Sequence, residues 1–268
     1  MVALLPALAL SLWLLCFPVW AGEARQLCLS CHPIHYGERG GCIGCHRGNP
    51  ASERKNIAHH RLIAGRFARF TLGETPVLGE GRRLMVQFGC RRCHVSAGTG
   101  NRLATSLDDV ADAKSPEDIL AAIREPAQGM PDFSLDGQQE IPLVNAILAG
   151  ACGQRRSGGV RPLVVHFTAL SEGKKDVFTR SCGPCHRLLS ERRGSLGSGA
   201  IGPGLSGLLS AHYPHTFRGK AWSPERVKRW LENPRSIRPW ARMRPVNLTG
   251  GEFRELLDQL MVTPLEER

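Results

Sequence analysis

The sequence is poor in aromatic side chains and in long apolar runs. Only 6% of its 268 residues are aromatic, and two are tyrosines. The length suits two or three small domains, and a supply of large apolar side chains this thin favours modules packed around a large apolar cofactor. Beyond residues 1–21, no stretch of the sequence is long and apolar enough to span a bilayer. We therefore expect membrane association only through the N-terminal segment or through a larger complex.

The N-terminal segment predicts export. Residues 1–21 are apolar and end in Val19-Trp20-Ala21, whose small residues suit cleavage ahead of Gly22. We predict a signal peptide over 1–21 and a periplasmic or otherwise exported protein. The segment begins without the usual Lys or Arg, so an uncleaved anchor is the alternative.

Eight of the ten cysteines belong to one repeated motif. Cys-x-x-Cys-His occurs at residues 28–32, 42–46, 90–94 and 182–186. This is the attachment signature of c-type haem, in which two thiols add to the vinyl groups and the adjoining His binds the iron. Zinc knuckles and redox dithiols need no following His, so the repetition favours haem. We predict four covalently attached haem c groups, with Cys28, Cys31, Cys42, Cys45, Cys90, Cys93, Cys182 and Cys185 as tethers and His32, His46, His94 and His186 as proximal ligands.

Residues 22–72 are predicted to form a dihaem segment with little regular structure apart from a basic helix over 53–70. This segment contains no methionine, and the histidines outside its two attachment motifs are His35, His59 and His60. Two of these three are expected to be the distal ligands of two bis-His haems. For each of them, the alternative is a surface histidine near a haem propionate.

The rest of the chain contains an internal repeat. Residues 79–89, directly before Cys90, align without a gap with residues 171–181, directly before Cys182, and Glu80-Gly81 falls on Glu172-Gly173. Later in each half, a Met near a Pro precedes an apolar helical pattern. This indicates two monohaem modules of common design.

Each half resembles the class I cytochrome c module, which has an N-terminal helix, the attachment motif, a loop, a distal Met beside Pro and a closing helix. The resemblance covers residues 79–153 and 168–263 and implies a mainly α fold. It also implies Met130 and Met243 as sixth ligands. Gly202-Pro203 resembles the loop that covers the proximal side of such haems, whereas the second module offers only residues 103–107 there.

Other residues are given structural roles. Met85 and Met261 are predicted to fill the core, as methionines in apolar runs usually do. Cys152 is predicted to be a small buried residue at a module edge. His212 and His215 are competing ligand candidates in the last module.

The charge balance favours an acidic partner. The sequence carries 35 basic and 24 acidic residues, a formal charge of +11. Each ferric haem would contribute one negative charge, which leaves about +7 after loading. Export and haem explain this composition better than nucleic-acid binding does.

Residues 218–244 form a basic patch that leads into Met243 and is a candidate docking surface. Its basic residues are Arg218, Lys220, Arg226, Lys228, Arg229, Arg235, Arg238, Arg242 and Arg244.

Together these features predict an exported tetrahaem cytochrome c that relays electrons between redox partners. The run 46–50 through His59-His60 also resembles multihaem cytochromes of metal- and oxyanion-respiring bacteria, including those of selenite and tellurite reduction operons. This resemblance implies a role in anaerobic respiration or oxyanion reduction. The alternatives are a haem-based terminal reductase or peroxidase with one open-coordination haem, and a non-catalytic subunit of a larger complex. Since the sequence offers a distal ligand for every iron, electron transfer is favoured over catalysis.

Overall fold

A computed structural model describes residues 27–126, 129–152 and 176–264. The predicted signal peptide and residues 171–175 of the internal repeat lie outside these ranges. Within the described ranges, no helix combines the length and apolar character that a membrane span requires.

The N-terminal segment consists of short helical turns joined by loops. Its α-helices are α1 (Ile43–His46) and α2 (Lys55–Ala58), and its 3-10 turns are Leu27–Ser30, Gly37–Arg39, Gly65–Phe67 and Arg69–Leu72. The continuous helix predicted over 53–70 is wrong. Helix α2 ends because the chain reverses at Arg61, whose φ of 56° is incompatible with a right-handed helix.

The second module is built around two long helices. Thr75 caps α3 by accepting a hydrogen bond from the Leu78 amide, and Pro76 begins the helix. A Cβ on Gly81 would lie 2.0 Å from the Pro142 carbonyl oxygen, so glycine allows α3 to cross α6 closely. The elements of this module are α3 (Pro76–Gln87), β1 (Val95–Ser96), β2 (Thr99–Gly100), α4 (Leu107–Ala113), α5 (Pro116–Arg124) and α6 (Gly137–Cys152).

The end of the N-terminal segment packs into the core of this module. Ile63 and Phe67 are buried in the same cluster as Leu84 of α3 and Val144 of α6. Asn145 is fully buried, accepts a hydrogen bond from the Phe70 amide at 2.9 Å and donates one to the Arg66 carbonyl at 2.9 Å. These contacts fix the predicted dihaem segment to α6.

The third module repeats the same plan with shorter helices. Phe178 of α7 packs against Leu256 and Leu260 of the closing helix, and its amide donates a hydrogen bond to Gln259 Oε1 at 3.2 Å. The Thr249–Glu252 capping box begins that helix. The elements are α7 (Val177–Ser181), β3 (Leu188–Ser190), β4 (Gly194–Leu196), α8 (Pro224–Glu232), α9 (Pro234–Ile237) and α10 (Gly250–Leu260).

A short antiparallel hairpin follows the attachment motif in both modules. Strands β1 and β2 pair Val95 with Gly100, and β3 and β4 pair Leu188 with Leu196. The mainly α fold and both closing helices are confirmed, whereas the two hairpins were not foreseen. Each hairpin has only two or three residues per strand, too few for an alternating pattern to reveal.

Two of the predicted structural roles are wrong and one is confirmed. Met85 is buried in the core of the second module, as predicted. Met261 is exposed because it follows the last residue of α10 and has an extended backbone. Cys152 is also exposed, because the fully buried part of α6 ends at Leu148 and Cys152 is the last residue of the helix.

Candidate functional site

The four attachment motifs share one backbone geometry. In each motif, the histidine amide donates a hydrogen bond to the carbonyl of the first cysteine, four residues earlier, at 2.9–3.0 Å. This bond closes one turn of helix, and the turn fixes the positions of the two thiols and the imidazole relative to one another. The residues joined in this way are His32 to Cys28, His46 to Cys42, His94 to Cys90 and His186 to Cys182.

Three motif histidines are oriented by a backbone carbonyl. The Nδ1 atoms of His46, His94 and His186 lie 2.7–2.8 Å from the carbonyl oxygens of Ile63, Thr105 and Pro203 respectively. A protonated Nδ1 that donates to a carbonyl leaves Nε2 as the free lone pair, which is the tautomer that a metal-bound histidine needs. Burial, partly opposed by the bond to Thr105, lowers the pKa of His94 and favours its neutral form.

The loop beside each proximal histidine differs between the modules. In the third module Pro203 belongs to the Gly202-Pro203 pair noted in the sequence. In the second module Thr105 supplies the carbonyl instead, and its neighbour Leu103 is buried. The stretch 103–107 therefore does provide a partner for His94 despite lacking the Gly-Pro pair.

The N-terminal segment brings its histidines together in pairs. His35 Nε2 faces His46 Nε2 at 3.4 Å, with ring centroids 5.6 Å apart. The His32 and His59 rings have centroids 6.0 Å apart. His60 is exposed and joins neither pair. Of the three distal candidates, His35 and His59 therefore each face a motif histidine.

The two candidate methionines each border the core of their own module. Met130 is half-buried against the second module, and Met243 is half-buried against the third. The indole nitrogen of Trp230 donates a hydrogen bond to Met243 Sδ at 3.0 Å. Trp230 also packs edge-on against Trp222 and lies beneath the guanidinium of Arg238. Met243 thus contacts one ring of a pair of packed tryptophans.

The competing histidines of the last module lie elsewhere on its surface. His212 borders the second module, where burial and the charge of Arg91 lower its pKa. His215 is exposed.

Three of the eight motif thiols lie where burial disfavours the thiolate. Burial raises the pKa of Cys90 and of Cys182 to about 11, and it also raises the pKa of Cys93. Reactive dithiols require a lowered thiol pKa, because the thiolate is the nucleophile. Sulfurs in such apolar surroundings suit thioether bonds.

Three further features fit a haem. The pair His35 and His46 lines an open cavity of about 1310 Å³, larger than the roughly 300–1,000 Å³ of most small-molecule pockets. Arg102 Nε is buried without a hydrogen-bond partner among the described residues, and a carboxylate such as a haem propionate would satisfy it. A Cβ on Gly202 would lie 2.2 Å from His186 Cε1, so the loop closes directly on the imidazole.

Several of these residues carry weak sequence signals. Trp230 is one of five tryptophans and has no motif of its own. The carbonyls of Ile63 and Thr105 are backbone groups that any residue could supply. Arg102 comes eight positions after His94 and resembles the many other arginines of this basic chain. Only Pro203, within its Gly-Pro pair, could be found from the sequence.

The comparison with protein families identifies one part of the chain. Residues 76–141 match the family model described as cytochrome c oxidase, cbb3-type, subunit III. This range contains helix α3, the attachment motif at 90–94, Met130 and the start of α6. No curated protein and no solved structure matches the chain. The match supports a c-type cytochrome, an electron-transfer protein whose domain at 76–141 implies covalently bound haem c.

Proposed function

We propose that this protein is an exported tetrahaem c-type cytochrome that relays electrons between redox partners. The observation that carries the proposal is the helical turn common to all four attachment motifs. One of these motifs lies inside the segment that matches a cytochrome family, and the other three reproduce its hydrogen bond outside that segment. The same chemistry is therefore expected at all four.

The paired histidines support a second ligand for each of the first two irons. A metal–imidazole bond is about 2.0 Å long, so two such bonds on one metal hold their nitrogens about 4 Å apart. His35 and His46 approach this separation at 3.4 Å. We assign His35 to the haem of His46 and His59 to the haem of His32, which leaves His60 without a ligand role.

Met130 and Met243 complete the assignment in the two modules. Each follows its attachment motif at the edge of the module core, and the sulfur of Met243 retains a hydrogen-bond donor in Trp230. When bound, each haem supplies a reversible one-electron couple. With two protein ligands on every iron, no coordination position is left for a substrate, and this favours a relay over a terminal reductase or peroxidase.

An acidic redox protein is the partner that this surface fits. Eight of the nine basic residues of the patch at 218–244 have no acidic residue directly beside them in the sequence, and Trp240 is 80% exposed among Arg235, Arg238 and Arg242. Exposed tryptophan and arginine are typical of the centre of protein interfaces. The patch ends beside Met243, so a partner docked there would lie close to the haem of the third module. Anaerobic respiration or oxyanion reduction is the proposed setting.

Mass spectrometry of the mature holoprotein tests the haem number. Four covalent haem increments on a chain that begins at Gly22 are expected. Fewer than four increments would refute the tetrahaem assignment, and a chain that begins at Met1 in the membrane fraction would favour an anchor over a signal peptide.

Carbon monoxide binding to the reduced protein tests the relay against the reductase. The wild type should bind none, because every iron has two protein ligands. The His35→Ala variant should bind one equivalent, whereas the matched His60→Ala variant should behave like the wild type. Binding by the wild type would favour the open-coordination enzyme instead.

A further inference from the structure

The attachment motif of the second module packs against the proximal loop of the third. Arg92 lies between the two cysteines of its motif, and its Nη1 donates a hydrogen bond to the Gly204 carbonyl at 3.1 Å. The hydroxyl of Tyr213 donates to the same carbonyl at 3.0 Å, and the guanidinium of Arg92 lies 5.8 Å from the Tyr213 ring centroid. Gly204 directly follows Pro203, whose carbonyl accepts from His186 Nδ1.

The contact is close enough to fix one module against the other. A Cβ on Gly207, which has a φ of 71°, would lie 2.5 Å from the Arg92 carbonyl oxygen. Asn101 Nδ2 donates to that same carbonyl at 2.9 Å and to Ser210 Oγ across the interface at 2.7 Å. The side chain of Arg92 is therefore bonded to the third module, and its backbone carbonyl packs against Gly207 and is linked to Ser210 through Asn101.

A second link joins the same two elements. The Ser206 side chain lies close enough to the Cys93 thiol to lower its pKa, and Cys93 is one of the two sulfurs predicted to tether the haem of the second module. Ser206 lies three residues after Pro203 in the loop beside His186. Two neighbouring residues of one attachment motif thus contact the loop that orients the proximal ligand of the other.

We propose that Arg92 is a positioning residue shared by two haem sites, so that one guanidinium influences the irons of both the second and the third module. This rests on the proposed function. A guanidinium carries its positive charge at every pH at which the protein is folded, and Arg92 is half-buried, where solvent screens it less than at the surface. A nearby positive charge disfavours ferric iron relative to ferrous and so raises the reduction potential.

A redox titration of the full holoprotein tests this. Met130→His and Met243→His first identify which high-potential step belongs to which module. Arg92→Gln should then lower the midpoints of both steps. Arg91→Gln is the matched control, because Arg91 lies in the same motif and donates to Ser96 within its own module, and the third-module group that its charge acts on is His212 and not the loop beside His186. This control should lower mainly the step assigned through Met130.

Arg92→Lys keeps the proposal testable if Arg92→Gln does not accumulate. Lysine retains the charge but not the planar fork, so both steps should move in the same direction by a smaller amount. If the step assigned through Met243 stays at its wild-type midpoint in the Arg92 variants, the shared role is wrong while the tetrahaem assignment stands. If neither methionine variant moves any step, the failure lies instead in the proposed ligands.

Discussion

The indole nitrogen of Trp230 donates a hydrogen bond to Met243 Sδ at 3.0 Å. A hydrogen bond withdraws electron density from the thioether sulfur and makes it a poorer donor to ferric iron. The bond should therefore raise the reduction potential of the haem that Met243 is proposed to ligate. Trp230 is in this sense part of the redox site, although it carries no chemistry of its own.

The Trp230→Phe variant should lower the midpoint of the step assigned to the third module. The substitution keeps an aromatic ring beside Trp222 and removes only the donor. Trp222→Phe is the control, because its indole nitrogen donates to Thr216 Oγ1 at 2.9 Å and not to the methionine. Equal shifts in a spectroelectrochemical titration of the two variants would show that the donor to sulfur has no specific effect.

The Gly202→Ala variant should disturb the proximal side of the same haem. A Cβ at residue 202 would lie 2.2 Å from the imidazole of His186, so either the ring or the loop must move. Mass spectrometry and the reduced absorption spectrum should show a defect at one of the four proposed haems. Gly204→Ala is the matched control, since its Cβ would meet Arg92 Nη2 at 3.5 Å, an ordinary contact. Comparable defects in both variants would contradict the steric argument.

The helical turn of each attachment motif and the main helices could be predicted from the sequence, because both depend on local spacing. The attachment motif spans five residues and sets its own helical turn. Helices α3, α6 and α10 have amphipathic or apolar patterns bounded by recognisable caps such as Thr75 and Thr249. Such signals need no knowledge of the rest of the chain.

The partners of the histidines could not be predicted because they depend on chain reversals. His35 reaches His46 across eleven positions, with Tyr36 in a left-handed conformation between them. The His46 ring forms a hydrogen bond with the Ile63 carbonyl seventeen positions later, after the left-handed turn at Arg61. A left-handed backbone conformation is unusual for Tyr and Arg, so the residue types give no indication that the chain turns there. The choice between His59 and His60 likewise required the helix to end at Ala58.

The Asn145→Ala variant should weaken the attachment of the N-terminal segment. The Asn145 side chain forms hydrogen bonds with the Phe70 N–H group and the Arg66 carbonyl. Removing that side chain leaves both backbone groups without this partner in a buried site. The free energy of unfolding should fall by roughly 2–4 kcal/mol. Chemical denaturation measures this, with the exposed Asn247→Ala as a control expected to stay near the wild-type value. A loss as small as that of the control would show that the segment is held by other contacts.

The ion pair between Arg124 and Glu140 should make the free energy of unfolding depend on pH in the acid range. Two hydrogen bonds of 2.6–2.7 Å join the guanidinium to the carboxylate, and they lower the pKa of Glu140. A lowered folded-state pKa gives stabilisation that is present above the ordinary Glu pKa of about 4.3 and is lost as the pH falls through the folded value.

Glu140→Gln should therefore be less stable than the wild type at pH 7, and the difference should shrink below about pH 4.3. Denaturation at a series of pH values measures it. Glu80→Gln is a useful comparison, because its partner Arg83 lies on the same exposed helix face, where an ion pair contributes little. A difference for Glu140→Gln that stays constant down to acid pH would rule out the ionised pair as its source.

The ligand assignments predict the order in which the haems are reduced. Thioether ligation stabilises ferrous iron relative to a second imidazole, so Met/His haems have higher potentials than bis-His haems. Reduction should fill the haems at His94 and His186 first and leave those at His32 and His46 oxidised longest. Electrons that enter at the N-terminal segment would then move downhill toward the third module, where the basic patch at 218–244 is the proposed docking surface for the acceptor. Met130→His and Met243→His should each lower one high-potential step and leave the other in place. If neither variant moves any step, both the methionine ligands and the direction of transfer are wrong.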